Sequence, residues 1–322
     1  MEKNKLAYYF ILLLVVIVIV SGCVPKFGSK GSSKSGKGIE ISFLPNNPQD
    51  RYVVSDLDEE PISIILELRN KGAYPQEEDV NELSRGGAYI SGFDRSIITI
   101  DGNSERISSD ALMGVSSINP DGSFDTIEFK GSIFGEDINV DKYEPTILAT
   151  LCYPYLTKAS PTVCIDPFPF DESQEKVCKI GSQTLSGQGA PLAITSIDQE
   201  ASSNKIQFKI SLKNVGKGDI VDLNSLDSCN PSEGKLLERE NFDRVQLMKA
   251  TTGITALDCS SSTEGSGIIR LHDGEGFVIC SIDKESYDDA KSAYTTTLNL
   301  ELRYGYRTTA SKSITISKIA SS

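Results

Sequence analysis

Residues 62–72 read I-S-I-I-L-E-L-R-N-K-G, and the pattern returns at 206–216 as I-Q-F-K-I-S-L-K-N-V-G. In the first run Ile62, Ile64, Leu66 and Leu68 fall on one face at period two; in the second, Ile206, Phe208, Ile210 and Leu212 do the same. Strict alternation is the mark of a strand with one buried face. Each run stops at Asn-x-Gly, a sequence that accepts positive φ in a turn. One strand type is therefore used twice, 144 residues apart.

Two further matches follow in the same order. Phe93-Asp94-Arg95 before the apolar residues 97–100 corresponds to Phe242-Asp243-Arg244 before 245–248. Residues 143–165 lie on 294–316 at an offset of 151 with nine identities in 23 positions, among them Tyr153, Tyr155, Thr157, Ala159 and Ser160 against Tyr304, Tyr306, Thr308, Ala310 and Ser311. Ordered matches with a slowly rising offset indicate duplication. Short strands, frequent turn signals and little helix, apart from one or two turns over 76–84, predict an all-β protein: two tandem antiparallel immunoglobulin-like β-sandwiches. The boundaries are 38–168 for the first domain, 169–189 for a Pro-, Gly- and Ser-rich linker and 190–322 for the second domain. Each closing segment reads as a hairpin, with its turn near Lys158 or Thr309.

The formal charge is -13 over 322 residues; residues 1–37 hold six lysines and Glu2, which leaves -18 for residues 38–322. So acidic a surface repels phosphate backbones, and nucleic acid is not an expected partner. With one histidine, His272, and no Cys-x-x-Cys among seven cysteines, structural zinc is not expected either.

Setting Cys23 aside leaves an even six cysteines behind an export signal, which reads as three disulfides. Cys152 and Cys164 stand opposite Arg303 and Thr315 in the second copy. A pair missing together suggests a bond to each other across the hairpin. Cys178, Cys229, Cys259 and Cys280 then form two more bonds, whose connectivity the sequence leaves open. A bond from Cys178 to Cys229 or Cys280 would stiffen the hinge between domains.

Residues 1–22 carry Lys3 and Lys5 and then an apolar run from Phe10 to Val20, the layout of a signal peptide or membrane anchor. Val20-Ser21-Gly22-Cys23 resembles the lipobox of exported prokaryotic lipoproteins, which implies that Cys23 is the lipidation site and the mature N-terminus. The alternative is an uncleaved anchor, although residues 6–20 fall short of the roughly 20 needed to span a bilayer. Residues 23–37 are Gly-, Ser- and Lys-rich, a flexible tether whose lysines suit anionic headgroups or plain solubility. The expected location is the cell membrane, facing outside the cytoplasm.

Chemistry is sparse. There is no Gly-x-Ser-x-Gly elbow, and His272 sits in Arg-Leu-His-Asp-Gly-Glu-Gly, a strand end entering a turn. The best ion candidate spans 117–128, where Asn119, Asp121, Ser123, Asp125 and Glu128 match the oxygen positions of a calcium loop around Gly122. Ser117 stands where such a loop needs Asp, so a plain turn at Pro120-Asp121-Gly122 is the competing reading. No cofactor and no catalytic residue is expected.

Asn-x-Gly closing an early strand in a tethered tandem repeat is similar to CARDB and related immunoglobulin-like modules of archaeal and bacterial surface proteins. The resemblance implies display or binding, with a surface protein or glycan as ligand and an adhesive or envelope-structural role. The alternatives are a solute-binding lipoprotein or an anchored hydrolase. The oligomeric state is open.

Overall fold

Alternation in the repeat strands is realised as burial. The computed structural model describes residues 37–55, 59–102, 104–107, 112–171, 175–231, 236–260, 263–265 and 267–319, backbone alone at Val80 and 104–106. Ile62, Ile64, Leu66 and Leu68 are buried along one strand, and Ile206, Phe208, Ile210 and Leu212 along its counterpart. Each such side chain withdrawn from water contributes about 2 kcal/mol, which is why these two strands can organise the halves around them.

Numbered in chain order, the first half holds β1 (Ile39–Phe43), β2 (Arg51–Val54), β3 (Glu59–Asn70), β4 (Gly87–Ser91), β5 (Ile98–Ile100), β6 (Ser104–Arg106), β7 (Phe124–Phe134), β8 (Lys142–Tyr143), β9 (Thr146–Ala159) and β10 (Thr162–Ile165). The second holds β11 (Ser182–Thr184), β12 (Leu192–Ala201), β13 (Lys205–Asn214), β14 (Asp219–Val221), β15 (Arg244–Thr252), β16 (Thr255–Ala256), β17 (Ile268–Arg270), β18 (Glu275–Asp283), β19 (Tyr294–Ser313) and β20 (Thr315–Lys318). The helical turns expected over 76–84 are a 3-10 helix at Glu77–Arg85, and a second one runs over Leu223–Cys229. The chain is all-β, and among the described residues every strand pair is antiparallel except β2 with β20.

Each half contributes a four-stranded sheet of its own, in the order β1-β3-β7-β5 or β11-β12-β13-β18. The second layer is common to both. A nine-stranded sheet runs β16-β15-β19-β9-β4-β6, with β10 and β14 also on β19 and β17 on β15; β9 of the first half is hydrogen-bonded to β19 of the second over fourteen residue pairs. The register centres on Pro154↔Gly305, flanked by Tyr153↔Tyr306 and Tyr155↔Tyr304. Because the repeat offset carries Tyr153 onto Tyr304 and Tyr155 onto Tyr306, the pairing exchanges the copies, and a local pseudo-dyad passes through Pro154 and Gly305.

This pairing changes several sequence expectations. The closing segments do not turn at Lys158 and Thr309; those residues pair with Glu301 and Thr150. β10 continues in the same register on β19 (Thr162↔Thr297), and the line is broken only at Ser160 and Pro161, where proline has no N–H for the ladder. A long strand with a partner along its whole length outcompetes a local hairpin. The expected division into 38–168, a linker at 169–189 and 190–322 becomes two sandwich halves within one compact unit over 33–322, with a single main core. The linker is held down: β11 pairs with β12, and Lys176 forms an ion pair with Asp166 at 2.7 Å. The Phe-Asp-Arg match also does not hold, since β5 lies in the four-stranded sheet beside β7 and β15 in the shared sheet beside β19.

The disulfides are Cys152–Cys229, Cys164–Cys178 and Cys259–Cys280. The expected Cys152–Cys164 bond is therefore wrong, and so is a bond from Cys178 into the second domain. The dyad supplies the reason. Cys152 points to the outer face of the shared sheet, where Leu223 and Leu226 of the helix Leu223–Cys229 and Val221 of β14, all from the other copy, cover it. Its symmetry mate Arg303 reaches Glu82 on the helix Glu77–Arg85 of the first copy. One crossing between copies is covalent and the other ionic, so absence from the second copy did not identify a mutual pair.

Candidate functional site

Four tyrosines surround the dyad and fix both halves to the shared sheet. The N–H groups of Ile39 and Leu192, at the starts of β1 and β12, donate to the hydroxyls of Tyr153 (2.8 Å) and Tyr304 (3.1 Å). The N–H groups of Tyr74 and Gly218 donate to Tyr155 (3.3 Å) and Tyr306 (2.6 Å). The Asn-x-Gly motifs serve the same junction. Asn70 Nδ2 donates to Tyr74 O and Asn70 Oδ1 accepts from Gly72 N, while Asn214 does the same with Gly218 and Gly216. Neither Gly72 nor Gly216 has positive φ; glycine is needed there because a tyrosine hydroxyl occupies the space of a Cβ. Tyr143 accepts from Asp94 N at 2.8 Å, and its counterpart Tyr294 stays partly exposed.

Burial raises the phenol pKa of Tyr153, Tyr155 and Tyr304, and pushes Tyr74 up to about 12, with Asp79 adding to the effect. Their folded values lie above the ordinary 10.0, so the stability they confer is complete below pH 10 and is lost as the unfolded chain ionises above it. Urea denaturation should give a constant midpoint up to about pH 10 and a falling one towards 12, with phenolate absorbance appearing together with unfolding. Loss in the folded protein of the phenol absorbance of all twelve tyrosines, rather than of those outside this cluster alone, would contradict the burial of these hydroxyls.

The calcium candidates do not converge. Asn119 spends its amide on Gly114 O and Ser123 Oγ, and Asp121 presents its backbone carbonyl to Lys71. Asp125 and Glu128 both lie on β7 an odd number of residues apart, which places them on opposite faces of the strand. Glu128 bonds Ser63 and lies 3.6 Å from Lys130. What forms is the turn, with Gly122 at φ 69°. Among the described residues, no group of three or more His, Cys, Asp or Glu is placed to hold a metal ion. Cys23 and the apolar run before it lie outside the described residues.

His272 opens the hairpin between β17 and β18. Asp273 and Gly274 both have positive φ, the requirement of a tight turn matching the sheet twist, and His272 and Glu275 exchange backbone hydrogen bonds across it. The imidazole is 95% exposed, 3.8 Å from Asp273. Among the described residues no hydrogen bond joins it to Ser211, the serine of the same neighbourhood.

That neighbourhood is a feature the sequence reading missed. The outer face of β13 and β18, walled by β17 and its turn, forms an open groove of about 840 Å³. The inward set Ile206–Leu212 forces Lys209, Ser211 and Lys213 outward, and their cross-strand partners are Ile279, Phe277 and Glu275. Phe277 is half exposed on the floor, with Lys209 Nζ 5.1 Å from its ring centre. Lys213 meets Glu275 at 2.6 Å and holds that carboxyl below the usual range, while Arg270 meets Glu264 at 3.2 Å. The duplicated face on β3 and β7 differs at its centre: Glu67↔Thr126 stands where Ser211↔Phe277 does, and Ile65↔Glu128 where Lys209↔Ile279 does. An exposed Phe124 occurs there too, but at the strand end, opposite Arg69. The signal was available in sequence: with Val278, Cys280 and Ile282 inward, Phe277 must face out.

The molecule so defined is an all-β protein of two duplicated halves fused through one sheet, with a wide open groove on the outer face of the second. No protein-family model matches the chain, and no curated protein matches it. Among solved structures it is similar to the C-terminal domain of the Streptococcus pyogenes antigen I/II-family protein AspA, at 11% identity over 88% of this chain and 99% of that one, with a TM-score of 0.17. The C-terminal domain of the Streptococcus agalactiae AgI/II polypeptide BspA gives 10% identity, 87% and 100% coverage and a TM-score of 0.15. Likeness at this level assigns neither family nor activity.

Proposed function

We propose that the protein is a non-enzymatic surface lipoprotein, tethered to the membrane through Cys23 and residues 23–37, whose folded body binds a ligand outside the cytoplasm. The observation that carries the reading is the divergence of the duplicated outer faces. The core strands and the tyrosine junction are kept in both halves, while the second face has its aromatic at the strand centre, Phe277 under Lys209, where the first has Thr126 opposite Glu67 and keeps its cation-aromatic pair, Arg69 over Phe124, at the strand end. Packing alone gives no reason for that change, since all of these residues point away from the core. The open groove suits part of an extended ligand better than an engulfed solute.

Acyl labelling tests the tether. The full-length chain, expressed in a prokaryotic host that processes lipoproteins, should incorporate labelled fatty acid, partition into the detergent phase and be cleaved by protease added to intact cells. Cys23→Ala should abolish the label. Label retained by Cys23→Ala, or protection of the wild type in intact cells, would overturn the reading.

A further inference from the structure

We infer that the groove on β13 and β18 binds a segment of acidic saccharide, with a sugar ring stacked on Phe277 and carboxylates held by Lys209, Lys213 and Arg270. This rests on the binding role proposed above and names its ligand class.

A pyranose ring is amphipathic: one face presents C–H groups and the rim presents hydroxyls. The floor matches this, with the half-exposed Phe277 as an apolar plate and Ser211 directly across the strand pair. Thr195 lies at the margin of the groove. The charges choose the kind of sugar. Lys209, Lys213 and Arg270 outnumber Glu264 and Glu275 here by one, on a body that carries -18 over residues 38–322. At the corresponding centre of the other half stand two carboxylates, Glu67 and Glu128. Lys209 forms no ion pair among the described residues; its ammonium sits over the ring with donors to spare. Arg270 is fixed by Glu264 and by the carbonyl of Glu240, which sets its remaining donors in place before a ligand arrives. A single-stranded nucleic acid would also use an aromatic plate and cations, but its phosphates would lie against the acidic surface on every side of this small patch.

The test is calorimetry on the full-length chain in neutral detergent, with an oligogalacturonate, a neutral galactan oligomer of equal length and a thymidine oligonucleotide as probes. The expected result is saturable binding of the oligogalacturonate, at least about tenfold tighter than the neutral oligomer. Phe277→Ala should weaken it roughly tenfold, the scale of one lost stacking contact. Lys209→Ala should weaken it about fivefold and flatten its salt dependence. Thr126→Ala, on the duplicated face, should change nothing. Equal binding of acidic and neutral sugars, preference for the oligonucleotide, or unchanged binding by a Phe277→Ala protein with wild-type thermal unfolding would each overturn the inference. If no probe binds while acylation and surface exposure are as expected, the saccharide fails and the tethered-display reading stands; if the protein is neither acylated nor exposed, that reading fails whatever the groove binds.

Discussion

Replacing Cys152 and Cys229 together by alanine should lower the unfolding free energy by about 4 kcal/mol, more than removal of either other disulfide. The bond closes a span of 77 residues, against 14 for Cys164–Cys178 and 21 for Cys259–Cys280. Loop-closure entropy rises only slowly with length, so the shorter bonds should each be worth about 3 kcal/mol. The longer bond has a second role that loop length does not capture. It ties the helix Leu223–Cys229 onto the outer face of the shared sheet at the dyad, where Leu226 and Val221 close over Gly305. Its loss should therefore loosen the contact between halves as well as relax the unfolded chain. Urea unfolding under non-reducing conditions, compared across the three alanine pairs, reads the order directly. A larger loss from Cys164 and Cys178 would mean that the connecting segment, rather than the dyad crossing, holds the halves in place.

How much of this was legible in the sequence depends on the range over which each feature is decided. Inward residues of β3 and β13 were legible because period two is local: Ile62 to Leu68 and Ile206 to Leu212 need no partner to be recognised. The helical turns at Glu77–Arg85 were legible for the same reason, lying in a polar insertion that stops at Gly86 and Gly87. The fused sheet was not. Residues 143–165 alternate equally well as a hairpin or as one long strand, and only the presence of a second copy with the same edge decides between them. The cysteine pairing failed at the same point, since the partner of Cys152 lies in the other repeat. The groove fell between these cases. Phe277 was visibly outward once Val278 and Cys280 were assigned inward, but its neighbours Lys209 and Lys213 come from β13, sixty-odd residues earlier, and the register that joins them is tertiary.

Gly72→Ala should be the most damaging single substitution at the tyrosine junction, costing about 3 kcal/mol, while the equivalent Gly216→Ala should cost markedly less. Both glycines stand against a tyrosine hydroxyl, Tyr155 or Tyr306. Their other neighbours differ. A Cβ on Gly72 would lie 2.6 Å from the carbonyl oxygen of Lys37 and 2.9 Å from that of Gly189, backbone atoms held by the starts of both halves. For a Cβ on Gly216 the three nearest atoms are all side-chain ones, the hydroxyl end of Tyr306 and the Pro191 side chain at 3.0 Å. Removing the hydroxyl separates the two cases. Tyr306→Phe should recover most of the loss in a Gly216→Ala background, because the obstructing atom is gone and the freed N–H of Gly218 is only part-buried. Tyr155→Phe should not rescue Gly72→Ala: two carbonyls still block the methyl, and the same change strands the buried N–H of Tyr74 and leaves Gly189 O without the 2.6 Å bond it receives from Tyr155. The four single and two double variants, measured by urea denaturation, form two cycles. Rescue in both would mean that the tyrosine hydroxyls alone require glycine, and rescue in neither would mean that the repeat motif is fixed by its backbone.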